Sequence, residues 1–223
     1  MPTNEKANTM KSYQKEFLDY AIKKNVLRFG EFELKSGRKS PYFFNCGEFK
    51  TGEEISKLGN FYARAIINSG IEFDMIFGPA YKGIPLAVST AMVFGLSHRR
   101  DIPFAFNRKE IKDHGEGGNI VGAELSGRVL IIDDVISAGT SVRESVEIIN
   151  AAGATPAAVA ISLDRQEVGE SNTTAVQEVT EKYGMPVVSI AGLSDLIEYM
   201  EFMKTYSNEL ALINAYKAQY GAK

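Results

Sequence analysis

Asp133 and Asp134 stand side by side at the end of an unbroken apolar run, Val129-Leu130-Ile131-Ile132. Val135-Ile136-Ser137-Ala138-Gly139-Thr140-Ser141 follows them directly. A continuous run of branched residues suits a parallel strand buried on both faces. Its carboxylates would then lie at the C-terminal edge, where open α/β sheets bind ligands. The small residues after them offer hydroxyls and backbone N–H groups at the start of a helix, an arrangement that cradles phosphate. Carboxylates for sugar hydroxyls beside a phosphate nest match a sugar phosphate. An aspartate after a buried strand also serves as an ordinary turn cap. Two in a row, followed by Ala138-Gly139-Thr140, favour the ligand reading.

Three further segments carry chemistry. Gly78-Pro79-Ala80-Tyr81-Lys82-Gly83-Ile84-Pro85 is a tight turn with one lysine. Alone it reads equally as a Gly/Pro turn; beside the aspartates it suits a diphosphate. Asn107 to Asn119 gathers Arg108, Lys109, Lys112 and His114 with three glycines. That composition gives either a solvated connection or, as the clustered cations favour, a mobile lid that closes over an anion. Lys35 to Asn45 is basic and then aromatic, ending in Phe43-Phe44. It fits a surface hairpin, a single-stranded nucleic acid or a planar anionic heterocycle. Arg165, after the apolar run that ends at Leu163, could clamp a carboxylate bidentately or form a surface pair with an aspartate.

The elements that must position these residues alternate along the chain. Residues 11–26 read as a helix and 27–46 as short strands. Thr51 and Glu54 fit a capping box for a helix to about Asn68. Strand and helix patterns then follow at 73–77 and 83–95, at 103–107, at 128–133 and 141–152, at 157–163 and 173–184, and at 186–190 before a helical tail. Ser141 and Glu144 fit a second capping box, with Val142, Val146 and Ile149 as the apolar stripe of its helix. The alternation predicts an α/β fold, a doubly wound parallel sheet flanked by helices, with a small N-terminal hood. The expected organisation is a single domain, residues 1–223. Its hood spans about 1–46 plus parts of the C-terminal region, and its core about 50–191. Within 192–223, Tyr199, Phe202, Tyr206, Leu210 and Leu212 read as packing residues.

Composition narrows the class. Across 223 residues, Lys+Arg 25 against Asp+Glu 28 gives a net charge of −3, with 44% hydrophobic residues. Nothing global points to nucleic acid or a membrane surface, and no apolar run approaches the ~20 residues of a membrane span. The polar start, Met1 to Lys11, lacks a secretory apolar core. A single cysteine, Cys46, with only His98 and His114 as histidines, argues for a buried apolar thiol in a reducing, cytoplasmic setting.

The segment from Val129 to Ser141 resembles the phosphoribosyl diphosphate (PRPP) signature of type I phosphoribosyltransferases. Joined with Leu34 to Asn45, the Gly78–Pro85 turn and the Arg108–Gly118 loop, it is similar to the orotate phosphoribosyltransferase family over most of the chain. The resemblance implies transfer of a 5-phosphoribosyl group from PRPP to N1 of orotate in UMP synthesis. It implies that Lys35, Tyr81, Lys82, Arg108, Lys109, Lys112 and His114 contact PRPP, mostly its diphosphate. Asp133 and Asp134 would hold the ribose hydroxyls, and Val135, Ile136, Ser137, Ala138, Gly139, Thr140 and Ser141 the 5′-phosphate. Lys35, Phe43, Phe44, Ser137 and Arg165 would surround orotate. Lys109, Asp133, Asp134 and His114 are the expected catalytic residues. Mg²⁺ is implied as cofactor, held by PRPP and water rather than by a protein cage. A homodimer with lid residues shared across its interface is implied as well. A transferase for another base, a non-catalytic PRPP sensor and a purely structural α/β protein are the competing readings. The hood and Arg165 argue against the first, the lack of a basic helix-turn-helix against the second, and three phosphate-suited strand ends against the third.

Overall fold

The computed structural model describes residues 10–34, 36–112, 118–136, 139–169 and 172–222. Helix α1 (Ser12–Lys23) leads into a hairpin of β1 (Leu27–Glu33) and β2 (Lys39–Phe44) and a 3-10 turn at Cys46–Glu48. Then come α2 (Gly52–Ser69), β3 (Met75–Gly78), α3 (Gly83–His98), β4 (Phe104–Lys112), β5 (Gly118–Gly122), β6 (Arg128–Ile132) and α4 (Thr140–Ala151). The remainder is β7 (Thr155–Asp164), α5 (Ala175–Tyr183), β8 (Val187–Gly192), α6 (Leu193–Met203) and α7 (Ser207–Tyr220).

Six strands form one sheet in the order β5-β4-β3-β6-β7-β8. Every pair is parallel except β4 with β5. The strand order reverses between β3 and β6, so the crevice beyond their C-terminal ends is the switch point where such sheets take ligands. Residues alternate across the sheet: Ile76, Leu130 and Ile132 join the core with α1, α2, α3 and α6, while Met75, Phe77, Val129 and Ile131 face α4 and α5. Burial on both faces is what the unbroken apolar run at 129–132 requires.

Local signals set the helix ends. Thr51 Oγ1 accepts from the Glu54 N–H at 3.3 Å, and Glu54 Oε2 accepts from the Thr51 N–H at 3.2 Å. Gly70, left-handed at φ 69°, closes α2. The β1–β2 hairpin is a separate sheet, held by aromatic contacts. Phe44 meets Phe17 of α1 at 6.2 Å, Phe29 meets Tyr206 at 5.2 Å and Tyr42 meets Tyr216 at 6.3 Å. The C-terminal segment returns to the residues after β7: Val168 N–H donates to Tyr220 O and Ala222 N–H to Gln166 O. Of the tail residues read as packing, Tyr199 is buried and Tyr206 and Leu210 lie against the core, whereas Phe202 and Leu212 are exposed. Phe202 lies under the Lys15 ammonium at 3.6 Å.

The expected doubly wound parallel sheet flanked by helices is present, with β5 added antiparallel along its edge. The structure corrects two expectations. The stretch from Asn107 is not a loop throughout: β4 continues to Lys112 and pairs with β5, Asn107 opposite Ile120 and Lys112 opposite Gly118. Charged residues along that run do not forbid a strand: its pairing with β3 ends at Phe106, and beyond that point β5 is the partner that holds it extended. The capping box expected from Ser141 and Glu144 does not form. Gly139, left-handed at φ 66°, caps α4 without a side-chain bond, and the Ser141 hydroxyl is committed elsewhere. Val142, Val146 and Ile149 are buried as expected.

Thr51→Ala should cost about 1 kcal/mol, read as a lower denaturant midpoint with an unchanged slope.

Candidate active site

The centre of the site is a pair of carboxylates that the fold buries. Asp133 and Asp134 are 8% and 7% exposed. Asp133 Oδ1 accepts from the Asp134 N–H at 2.8 Å, and its Oδ2 accepts from the Ser141 hydroxyl at 2.7 Å. Asp134 Oδ2 takes the Lys82 ammonium at 2.5 Å. Burial lifts the Asp133 carboxyl to about 6, with the Asp134 charge adding to it and the Ser141 bond opposing it. Burial works against the Lys82 charge, but its bond and attraction to Asp134 outweigh that and raise its pKa.

Lys82 arrives there because the turn after β3 is pressed against the end of β6. A Cβ on Gly78 would lie 2.2 Å from Gly83 O, and one on Gly83 would lie 2.8 Å from Ile132 O. Only glycine permits that approach. Asn107 Oδ1, from β4, accepts from the Ala80 N–H at 2.8 Å and ties the turn to the neighbouring strand. The Ala80–Tyr81 peptide is cis. Tyr81 is 66% exposed, and Lys109 Nζ lies 5.2 Å from its ring centroid. The structure thus brings Tyr81, Lys82 and Lys109 to the strand ends that carry the aspartates, with Arg108 beside them on β4.

After the aspartates, Val135 packs toward one core and Ile136 toward the other. Gly139, Thr140 and Ser141 open α4. With no side-chain cap, the first-turn N–H groups of this helix point to a ligand or to water. Ser137 and Ala138 lie outside the described residues, as do Lys35, His114 and the side chain of Lys112.

Arg165 follows β7, the strand paired with β6. It donates to Glu167 Oε1 at 2.8 Å through Nε, and its terminal nitrogen lies 2.6 Å from the same oxygen. It also donates to the Ser40 hydroxyl at 3.0 Å and stacks 4.2 Å above the Tyr42 ring. Its pair is therefore with Glu167, not with an aspartate as a surface reading would have it. Phe43 stacks on Phe32 at 5.4 Å, under Arg28. The Phe44 ring turns into the core toward Phe17. Cys46 is buried and its thiol is pushed up to about 12 by burial, as an inert small apolar residue should be. Among the described residues, no group of three or more His, Cys, Asp or Glu side chains could hold a metal ion.

The phosphoribosyl transferase domain family matches residues 45–187. The orotate phosphoribosyltransferase of Thioalkalivibrio sulfidiphilus is 60% identical over 95% of this chain and 100% of its own length. That of Cronobacter sakazakii is 57% identical over the same shares. The crystal structure of the Francisella tularensis orotate phosphoribosyltransferase superposes with a TM-score of 0.84 at 39% identity, covering 92% of this chain and 99% of that one. The chain belongs to the orotate phosphoribosyltransferase family.

For a member of the orotate phosphoribosyltransferase family, several contacts of this site have no local signature in the sequence. Asn107 braces the Tyr81–Lys82 turn, Glu167 and Ser40 orient Arg165, and Ser141 holds Asp133. Asn107 and Ser40 lie 27 and 125 residues from their partners, and Glu167 and Ser141, though near theirs in sequence, carry no spacing that marks the contact. The buried charge also affects stability. Asp133 has a folded pKa near 6, above its ordinary 3.8. Its contribution to stability is therefore fully present below the unfolded value and is lost as pH rises through about 6. Asp133→Asn should raise Tm at pH 7.5 by roughly 2–4 °C, a gain that disappears toward pH 4 in thermal melts.

Proposed function

We propose that the chain transfers the 5-phosphoribosyl group of PRPP to N1 of orotate, giving orotidine 5′-phosphate and diphosphate, in the cytoplasmic synthesis of UMP. The observation that carries this reading is the convergence, at one switch point, of a buried carboxylate pair, Lys82 and the open N-terminus of α4. Arg165 stands beyond the same edge as a partner for a carboxylated base. The 57–60% identity to orotate phosphoribosyltransferases over their full length supports the same substrate pair.

The ribose hydroxyls donate to Asp133 and Asp134, and the 5′-phosphate sits on the segment from Val135 to Ser141 that leads into α4. Lys82, Tyr81, Arg108, Lys109, Lys35, Lys112 and His114 face the diphosphate. The C1–O bond breaks with its electron pair leaving on diphosphate, and orotate N1 bonds C1 as its own proton departs. Positive charge builds on the sugar ring in between, and the two aspartates favour it. Lys109 meets the charge growing on the leaving oxygen, and His114 offers that oxygen a hydrogen bond. Mg²⁺ neutralises diphosphate charge when bound. Asp133 and Asp134 would hold it through the ribose hydroxyls and water, which suits a site whose hard oxygen donors are one carboxylate pair, half committed to Lys82. Orotate rests against Phe43, the backbone of Phe44, Lys35 and Ser137, its carboxylate on Arg165. The β1–β2 hairpin serves as a hood over the core, all within one domain.

The working unit is a homodimer in which Lys109 serves the neighbouring site. Helix α3 supports this reading: Met92 and Leu96, one turn apart, are 57% and 82% exposed on a helix that is apolar on all sides.

Orotate absorbance should fall only when PRPP and Mg²⁺ are both present, with diphosphate released, and adenine or uracil should not compete. Arg165→Ala should raise the KM for orotate by roughly tenfold or more, as expected for loss of a charge-assisted bond, and change that for PRPP little. Equal losses for both substrates would remove the assigned role. Mixing Lys109→Ala chains with Asp133→Ala chains should restore activity to the heterodimer. No recovery after proven subunit exchange would place Lys109 in its own site.

A further inference from the structure

Behind the carboxylate pair runs a buried chain of polar groups that the proposed reaction does not use. Tyr62 of α2 is fully buried, and its hydroxyl donates to the backbone carbonyl of Asp133 at 2.7 Å. The same oxygen lies 2.6 Å from the hydroxyl of Ser162 on β7. Ser162 Oγ in turn is 3.6 Å from Cys46 Sγ. A carbonyl can only accept, so the direction of the whole chain is fixed. The Tyr62 proton goes to Asp133, the Ser162 proton to Tyr62, and the Cys46 proton to Ser162. The Ser162 N–H also donates to the carbonyl of Asp134 at 2.9 Å. Both carbonyls of the aspartate pair are thereby pinned from residues 28 to 88 positions away in the chain, through Tyr62, Ser162 and Cys46.

We propose that Tyr62 is a positioning residue for the ribose site: its hydroxyl, directed by Ser162 and Cys46, fixes the peptide between Asp133 and Asp134 and so aims both carboxylates. The peptide is the pivot of the pair. Asp134 N–H donates to Asp133 Oδ1, so a rotation there displaces the two side chains together. Chains of hydroxyls in a dry interior strengthen one another. Loss of the Tyr62 proton leaves a buried carbonyl without its donor.

The inference rests on the assignment of the aspartates to the ribose hydroxyls, and its test separates the two. Affinity for PRPP with Mg²⁺, for inorganic diphosphate and for orotate is measured by calorimetry, with Tm recorded, for Tyr62→Phe, Ser162→Ala and Tyr199→Phe. Tyr199 is the control: it is buried, and its hydroxyl reaches Asp19 at 3.3 Å, on α1. Tyr62→Phe should weaken PRPP roughly 5- to 10-fold and leave diphosphate and orotate within about twofold. Ser162→Ala should do the same to a lesser degree, and it carries the test if Tyr62→Phe does not fold. Tyr199→Phe should lower Tm without touching PRPP. Unchanged PRPP affinity in a folded Tyr62→Phe, or equal losses for PRPP and diphosphate, would overturn the proposal. Asp134→Asn decides which claim has failed: if it too leaves PRPP binding intact, the ribose assignment is wrong, and if it abolishes binding, only the role of Tyr62 is.

Discussion

The structure is organised around the burial of two neighbouring carboxylates at the end of β6. A charge at Asp133 is unfavourable there, as the rise of its pKa to about 6 records. The surroundings answer three of the four oxygens: an N–H and a hydroxyl for Asp133, an ammonium for Asp134 Oδ2. Such a site accepts a ligand that brings hydroxyl donors more readily than one that brings further negative charge. For the substrate proposed above, the phosphate groups would be met elsewhere, on the helix N-terminus and the nearby lysines, and its division into a hydroxylated sugar and two anionic ends would match this electrostatic layout.

Close backbone approach makes the layout possible. The Lys82–Asp134 pair spans two strand ends, and it forms because Gly78 and Gly83 let the β3 turn touch the end of β6. A side chain at either position would push the turn outward and take the ammonium with it. The parallel register of β3 with β6, Ile76 beside Leu130 and Phe77 beside Ile131, puts the two turns level. Burial of the sheet on both faces holds that register, since a slip of one residue would reverse which side chains meet each core.

Features governed by near neighbours were legible in the sequence. The apolar run before Asp133, the Thr51–Glu54 cap and the stripe of α4 each depend on residues within a turn or a strand, and each is present. Features governed by distant partners were not. Ser141 and Glu144 have the spacing of a cap, but Asp133 competes for the Ser141 hydroxyl across the loop and wins it. The run from Arg108 to Lys112 is polar enough for a loop, yet β5 supplies an edge partner that composition cannot reveal. Arg165 was legible as a residue for an anion, while its companions Glu167, Ser40 and Tyr42 were not, two of them being more than 120 residues away.

Those companions bear on how the site would select a base. A guanidinium stacked on Tyr42 and hydrogen-bonded to Glu167 and Ser40 has little rotamer freedom left to lose, so an arriving carboxylate meets a fork already oriented. Glu167 also offsets the Arg165 charge before any ligand is present, which reduces the penalty of keeping a cation in a half-buried wall. Under the proposed function, an incoming carboxylate would share the guanidinium with Glu167. Because Glu167 already repels that carboxylate, geometry must supply the selectivity. Under the proposed function, a base is selected when its ring brings a carboxylate to this oriented guanidinium, where a neutral base would form no charge-assisted bond.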